Sequence, residues 1–346
     1  MIFTLPDELS APAPPEQRGV ARDQVRLLVA RGHDTEHARF ADLARFLDPG
    51  DLVVVNTSAT LAAAVDGVRV DGGEVVVHFS TALDNGRWLV EVRPRVDATG
   101  PVPDAHAGER IILPVGVALT LLEEHGRLWQ AELVVEGGVE AYLARHGRPI
   151  TYSYVRGHWP VSAYQTVFAH DPGSAEMPSA GRPFTASLVT ELVSAGIGVA
   201  PITLHTGVSS LEEGEPPLAE RYRVPAATAR LVNLTKASGG RIVAVGTTVT
   251  RALETVAAVD GWIASGSGWT DLVLGPQRPA RVVDGLITGW HAPGASHLLL
   301  LEAVAGPELV AAAYRDALGE GYLWHEFGDS CLLLPDRAQS IVHAAA

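Results

Sequence analysis

The residues whose types and spacing best suit chemistry lie between positions 239 and 254. Ile242–Val245 is a short apolar run after a Gly-Gly turn, which is typical of a buried parallel strand. Gly246 lets the backbone pass close to a ligand, and Thr247 or Thr248 can cap the helix that follows. The free N–H groups at such a helix start attract a carboxylate or a phosphate. The segment predicts an anion site, although an ordinary strand-to-helix connection also fits the spacing.

Histidines provide the candidates for proton transfer. His205 follows a predicted strand at residues 199–204, and ligands of open α/β sheets bind beyond the carboxyl ends of strands. A histidine there can serve as general acid or base, and a structural histidine is the alternative. His291 and His297 lie in a Gly- and Pro-rich loop and could form a metal pair. Because no complete ligand set such as His-Glu-x-x-His accompanies them, we expect no metal.

Three further patterns have plainer interpretations. Residues 266–269, Gly-Ser-Gly-Trp, are only a fragment of a dinucleotide fingerprint and predict a surface turn. Glu326 and Asp329 could form a carboxylate pair, but a polar turn before a strand at Cys331 is the stronger interpretation. Arg251 and Glu254 share a helix face, so an ion pair between them is also possible.

Composition limits the class of protein. The chain has 346 residues, a net charge of −14, and Lys236 as its only lysine, with no basic run to mark a nucleic-acid patch. This argues mildly against RNA or DNA as a partner.

Cys331 is the only cysteine, so no intramolecular disulfide is possible, and we expect a buried, inert thiol. No apolar run approaches the roughly 20 residues of a membrane span, and no signal peptide is evident, so the expected location is the cytoplasm. Nothing in the sequence indicates the oligomeric state.

The chain divides into two kinds of pattern. Short strands with period-two alternation and close turns predict an antiparallel β-barrel at residues 63–149. Strands that alternate with helices predict an α/β domain with a mostly parallel sheet from residues 1–62 and 150–346, into which the barrel is inserted. Within that domain we expect a strand at 271–274 and helices at 185–195, 249–259, 296–304 and 308–318.

Taken in order, these segments resemble the S-adenosylmethionine:tRNA ribosyltransferase-isomerase family, the enzymes of queuosine biosynthesis. The resemblance spans nearly the whole chain. Its motifs are Leu-Pro-Asp-Glu-Leu at 5–9, Pro-Gly-Asp-Leu-Val-Val-Val-Asn at 49–56, Tyr-Gln-Thr-Val-Phe-Ala at 164–169, Thr-Leu-His-Thr-Gly at 203–207, Ala-Val-Gly-Thr-Thr at 244–248, Asp-Gly-Leu-Ile-Thr at 284–288, and Phe-Gly-Asp at 327–329.

The resemblance implies transfer of the ribosyl part of S-adenosylmethionine, as co-substrate, to an aminomethyl-deazaguanine in tRNA, with loss of adenine and methionine. That reaction needs a base beside the sulfonium, a donor for the departing adenine and a site for the methionine carboxylate. The candidates for catalysis are His205, His291 and Glu254. The carboxylate site would be the Gly246–Thr248 turn with Arg251. The remaining substrate-binding candidates are Tyr164, Gln165, Pro178, Ser179, Ala180, Gly181, Thr203, Gly207 and Pro293.

Several positions depart from the family pattern. The family's Asn-Asp-Thr-Arg is Asn-Thr-Ser-Ala at 56–59, and a family histidine is replaced by Pro183. After Gly207, the family's Gly-Thr-Phe-Arg-Pro and His-x-Met-His are absent. Three interpretations follow: a queuosine enzyme that acts on tRNA, an S-adenosylmethionine-dependent relative with a small-molecule acceptor, or a non-catalytic binding protein. The acidic charge disfavours tRNA, whereas the full-length order of motifs favours it.

Overall fold

The computed structural model describes residues 3–95, 100–209 and 218–336. The strands within these residues are β1 (Arg26–Arg31), β2 (Asp34–Arg39), β3 (Leu52–Asn56), β4 (Ser58–Thr60), β5 (Ala64–Arg69), β6 (Glu74–Ala82), β7 (Trp88–Pro94), β8 (Arg110–Ile112), β9 (Ala118–His125), β10 (Leu128–Leu133), β11 (Asp171–Ser174), β12 (Gly198–Leu204), β13 (Glu220–Val224), β14 (Ile242–Val245), β15 (Gly266–Thr270), β16 (Gly285–Thr288) and β17 (Ser330–Leu334). The α-helices are α1 (Val139–His146), α2 (Ala186–Ser194), α3 (Ala226–Ala237), α4 (Thr247–Thr255), α5 (His297–Ala305) and α6 (Pro307–Gly319).

A nine-stranded sheet organises the α/β part, in the order β15-β13-β12-β3-β14-β16-β17-β1-β2. The adjacent strands β12, β3, β14 and β16 run parallel to one another, and β1 runs parallel to β17. The β16–β17 pair and the pairs at both edges are antiparallel. The parallel part is therefore the centre of the sheet, and its carboxyl ends share one edge.

Helices cover both faces of this sheet, which explains why its central strands are apolar throughout. Leu52 and Val54 of β3 pack into a core with α3, α4, α5 and α6. The alternate residues, Val53 and Val55, pack against α2 and a 3₁₀-helix at Phe40–Phe46 on the other face. A strand buried on both faces loses the alternation of a half-buried strand and becomes a continuous apolar run.

The strands β5 to β10 close into a separate antiparallel barrel, in the order β10-β7-β6-β5-β8-β9. Its interior is an apolar cluster that includes Val77, Phe79 and Leu119. The barrel strands lie in the chain between β4 and α1. The predicted fold class, an α/β sheet with an inserted antiparallel barrel, is confirmed; the exact boundaries at 63 and 149 stay a prediction.

Two local predictions near the sheet edge are wrong. Residues 271–274 are not a strand, and the Gly-Ser-Gly-Trp segment, predicted as a surface turn, forms β15 instead. The reason is tertiary, because β15 pairs along its whole length with β13, which gives a glycine-rich segment its partner. Helix α4 ends at Thr255, earlier than predicted, and Ala257 then bridges to Ile263.

No single helix in the described ranges has the length and apolar character needed to cross a membrane. Helices α5 and α6 pass that test only as a pair, and they are bent by 119° at their junction.

Candidate active site

A cavity of about 630 Å³ lies at the carboxyl edge of the parallel strands. It is lined by residues that directly follow β12, β14 and β16, namely Thr206, Gly246 and Gly289. Arg127, from the β9–β10 connection of the barrel, contributes another part of the wall. This is the position in which open α/β sheets bind their ligands.

The start of α4 faces this cavity. Gly246 is the N-cap, with φ of 90°, and a Cβ there would lie 3.3 Å from Cβ of Ala180. The predicted threonine cap is wrong, because the N-cap position makes no side-chain capping bond and Thr248 Oγ1 instead accepts a hydrogen bond of 3.3 Å from Asn56 Nδ2. The first N–H groups of α4 have no acceptor within the helix, and Thr247 and Thr248 line the cavity. The helix start can receive an anion.

Arg251 also lines the cavity, but its guanidinium is already engaged. Its Nη1 donates to Glu220, and Nε and Nη2 donate to the carbonyl oxygens of Leu272 (3.1 Å), Thr270 (3.1 Å) and Leu218 (3.3 Å). The ion pair that the sequence suggested with Glu254 does not form. Arg251 therefore holds α4 to β13 and β15, and its role in carboxylate binding stays a prediction.

Glu254 lies outside the cavity, so we correct its place among the catalytic candidates. Its side chain is fully buried. The carboxylate accepts the backbone N–H groups of Arg281 (2.9 Å), Val282 (2.8 Å) and Val283 (3.1 Å). A carboxylate used in this way anchors the segment before β16.

Four more predicted residues do not line the cavity. His205 Nδ1 lies 2.7 Å from Ser58 Oγ, and burial lowers the pKa of the imidazole. Gln165 bonds to both backbone groups of Thr60, at 3.0 Å and 2.8 Å. Thr203 Oγ1 donates to Asp171, and Gly181 follows the lining residue Ala180. The predicted residues that do line the cavity are Tyr164, Pro178, Ser179, Ala180, Gly207, Gly246, Thr247, Thr248, Arg251, His291 and Pro293.

His291 is held in one orientation at the cavity wall. Its ring stacks on His297 with centroids 4.7 Å apart, and its Nε2 lies 3.0 Å from Thr288 Oγ1. The Thr288 hydroxyl also lies 3.1 Å from the carbonyl oxygen of Gly289, so it joins the His291 ring to the backbone that follows β16. Burial lowers the pKa of His291 well below its usual value and that of His297 to about 4. Both rings are therefore neutral at pH 7. Among the residues that the structure describes, no group of three or more metal-ligating side chains is present.

Two tyrosine–glutamate hydrogen-bonded pairs lie at the cavity, and neither pair was predicted from the sequence. Tyr152 donates to Glu176, which also accepts the N–H and the hydroxyl of Ser209. Tyr154 donates to Glu326 Oε2 at 2.6 Å. No strand or helix period predicts these pairs, because Tyr152 and Tyr154 lie in a turn that is closed by a 3.0 Å hydrogen bond from the Val155 N–H to the carbonyl oxygen of Tyr152.

The predicted carboxylate pair of Glu326 and Asp329 does not form, and the alternative, a polar turn before β17, is confirmed. Asp329 accepts the N–H groups of Arg26 and Leu323, each at 2.8 Å, and so anchors β1. Burial raises the pKa of Glu326 to about 7 and also raises that of Glu176. Within the described residues, these two carboxyl groups accept hydrogen bonds from the hydroxyls of Tyr152, Tyr154 and Ser209 and from the Ser209 N–H.

The comparisons with known proteins agree with this geometry. Residues 1–333 match the family model described as queuosine biosynthesis protein. An S-adenosylmethionine:tRNA ribosyltransferase-isomerase of Moorella thermoacetica is 37% identical, with 90% of this chain and 94% of that protein covered. One of Symbiobacterium thermophilum is 36% identical, covering 96% and 98%. The crystal structure of S-adenosylmethionine tRNA ribosyltransferase from Thermotoga maritima aligns with a TM-score of 0.54 and 27% identity, over 96% of this chain and 99% of that one. The chain belongs to the queuosine biosynthesis protein family.

Proposed function

We propose that this chain is an S-adenosylmethionine:tRNA ribosyltransferase-isomerase. It would transfer and isomerise the ribosyl part of S-adenosylmethionine onto 7-aminomethyl-7-deazaguanine in tRNA, releasing adenine and methionine. The observation that carries this proposal is the cavity at the sheet edge, to which four of the family motifs contribute lining residues, in a chain that resembles such enzymes along almost its full length. Because the acceptor is a tRNA, we expect the reaction in the cytoplasm.

The cavity offers a matching group for each part of the donor. The N–H groups at the start of α4 suit the methionine carboxylate, since a helix start favours negative charge. The carboxylates of Glu176 and Glu326, which line the cavity, suit the positive sulfonium. The neutral imidazole of His291 is a group on which a purine can stack or hydrogen-bond.

The departures from the family pattern fall both on the cavity wall and away from it. Thr57, Ala59 and Pro183 do not line the cavity, whereas Val208, Ser209 and Leu218, which lie where the family motifs after Gly207 are absent, do line it. The altered positions between 210 and 217 lie outside the described residues. The match to the family along nearly the whole chain supports a retained reaction more than a non-catalytic protein, and a small-molecule acceptor stays the second candidate.

The decisive experiment incubates the purified chain with S-adenosylmethionine and a tRNA that carries the aminomethyl-deazaguanine. We expect adenine release and a mass increase of the modified nucleoside, both measured by liquid chromatography with mass spectrometry. A tRNA with guanine at that position is the matched control and should give neither product.

Binding separates the remaining outcomes. S-adenosylmethionine at a hundredfold excess over its dissociation constant should stabilise the fold by about 2.7 kcal/mol. Stabilisation with no tRNA modification would favour the small-molecule acceptor. Neither stabilisation nor adenine would contradict both enzymatic proposals.

A further inference from the structure

The segment at residues 325–328 presents Glu326 to the cavity in a constrained backbone. His325 has φ of 71°, the left-handed region that non-glycine residues seldom occupy. A Cβ at Gly328 would lie 2.3 Å from the carbonyl oxygen of Leu323, so only glycine fits the end of this turn. Backbone strain of this kind persists where the surrounding structure enforces it, commonly at functional sites.

Tyr154 fixes the Glu326 side chain through a hydrogen bond. The ring of Tyr154 lies between two others, with centroids 4.0 Å from His325 and 5.8 Å from Tyr152. This stacking holds its hydroxyl at the 2.6 Å hydrogen bond to Glu326 Oε2. Among the described side chains, Tyr154 is the only one that hydrogen-bonds to Glu326, so the carboxylate keeps capacity to accept a proton.

We propose that Glu326 is the general base of the reaction and that Tyr154 positions it. This inference rests on the proposed function. The Glu326 carboxylate accepts a proton from the carbon beside the sulfonium, the C–H electron pair stays on that carbon as an ylide, and the carboxylate becomes a neutral carboxylic acid. No oxidant or reductant is needed.

The other titratable groups of the cavity are less suited to this step. Glu176 is occupied by the Tyr152 hydroxyl and by both donors of Ser209. His291 is a weak base, because burial lowers its pKa well below 6.5. Glu326, whose pKa is raised to about 7, is the stronger base and is still ionised in a substantial fraction at neutral pH.

The neighbours of Glu326 define how its ionisation should respond to mutation. The titratable groups that face it are the hydroxyls of Tyr152, Tyr154 and Tyr164, the carboxyl of Glu176, and the ring of His325. Burial raises the pKa most, the charge of Glu176 raises it further, and the hydrogen bond from Tyr154 lowers it. Removal of the Tyr154 hydroxyl must therefore raise the pKa, whereas removal of the Tyr152 hydroxyl acts mainly on Glu176.

The test is the pH profile of adenine release in the presence of the precursor tRNA, for wild type, Glu326→Gln, Tyr154→Phe and Tyr152→Phe. The wild-type rate should fall as the pH drops through about 7, because the base becomes protonated. Glu326→Gln should lose roughly 10²–10⁴-fold in rate. Tyr154→Phe should move the midpoint of the acidic limb to higher pH, and the matched control Tyr152→Phe should leave it in place or move it lower.

Deuterium exchange gives a second readout of the same step. In D₂O, wild type should exchange the hydrogens on the carbon beside the sulfonium, and Glu326→Gln should not, while it still binds S-adenosylmethionine by calorimetry. A Glu326→Gln enzyme with a near-wild-type rate, or an unmoved Tyr154→Phe midpoint, would overturn the assignment and leave the proposed function standing. A wild-type enzyme that releases no adenine would overturn both.

Discussion

Burial, rather than residue type, sets the charge of the single residues around the cavity. Glu326 has a pKa raised to about 7, while His297 and His325 have pKa values lowered to about 4. At neutral pH the histidines are thus uncharged hydrogen-bonding groups, and a glutamate occupies the working range of a general base. Because of this exchange of roles, the histidines in the sequence indicate where the cavity lies but not which group can act as a base there.

Glu254 provides a residue-scale prediction for a buried carboxylate whose role is structural. Glu254→Gln would place an amide NH₂ against N–H groups of the 281–283 backbone, because only one of its two terminal atoms can accept. We expect a loss of about 1–3 kcal/mol in the free energy of unfolding, measured by urea denaturation. Glu308→Gln, at an exposed position in the first turn of α6, is the control and should change stability by less than about 0.5 kcal/mol. Equal effects of the two substitutions would contradict the anchoring role.

Contacts between distant segments mark the limit of prediction at this scale. The candidates at Gly246–Thr248 could be found from the sequence because a strand end followed by glycine is a local pattern, and His291 because it lies in a Gly- and Pro-rich loop. The Tyr154–Glu326 bond joins residues 172 positions apart, and the Arg251–Glu220 pair joins residues 31 apart. No local pattern specifies either partner, so Arg251 was assigned to a ligand and not to Glu220.

At the scale of elements, the site depends on how one helix begins. Strand β14 ends at the edge of the sheet. There the chain changes direction at Gly246, which has φ of 90° and ψ of 162°, and continues as α4. Gly306, at the start of α6, has nearly the same conformation, with φ of 80° and ψ of 150°. The two helix starts differ in their surroundings, since only Gly246 lines the cavity and packs against Ala180.

The two glycines allow a matched prediction about α4. Gly246→Ala and Gly306→Ala should each cost about 1–3 kcal/mol of stability, because alanine is strained in this conformation. Only Gly246→Ala should also weaken S-adenosylmethionine binding, by roughly tenfold, if the helix start holds the carboxylate. Calorimetric titration of both variants under native conditions measures this. Equal affinities would show that the carboxylate is bound elsewhere.

Elements with strong periodicity or burial could be predicted, whereas those defined by pairing could not. Strands β12 and β14 and helices α2, α5 and α6 lie within a few residues of their predicted positions. Strand β15 was missed because Gly-Ser-Gly-Trp has little intrinsic strand preference and depends on β13 for its hydrogen bonds. The antiparallel β16–β17 pair, which makes the sheet mixed, likewise leaves no signal in either strand.

At the scale of the whole molecule, the barrel and the α/β part meet beside the cavity. Arg127 of the barrel donates to the carbonyl oxygens of Val208 and Ser209, and its Nη1 lies 2.7 Å from Glu91. A Cβ at Gly207 would lie 2.8 Å from Ser80 Oγ on β6, so glycine permits this close approach. The segment that follows β12 is thus held by the barrel, and Glu176 bonds to its Ser209.

The free energy of unfolding of the whole chain should depend on pH through two buried groups whose pKa values are shifted in opposite directions. Burial lowers the pKa of His78, on β6 of the barrel, to about 3, so its contribution to stability is present above pH 6.5 and is lost as the pH falls. Burial raises the pKa of Glu326 to about 7, so its contribution is present below pH 4.5 and is lost as the pH rises through 7.

Two variants separate these opposing contributions. Relative to wild type, His78→Leu should gain about 2–3 kcal/mol of unfolding free energy between pH 7 and pH 4.5, because wild type loses the histidine contribution over that range. Glu326→Gln should shift the opposite way and gain about 3 kcal/mol between pH 4.5 and pH 8, since the amide never ionises. Urea denaturation at several pH values measures both differences. Parallel curves for the three proteins would show that neither group is perturbed on folding, and they would remove the physical basis for assigning Glu326 as a base at neutral pH.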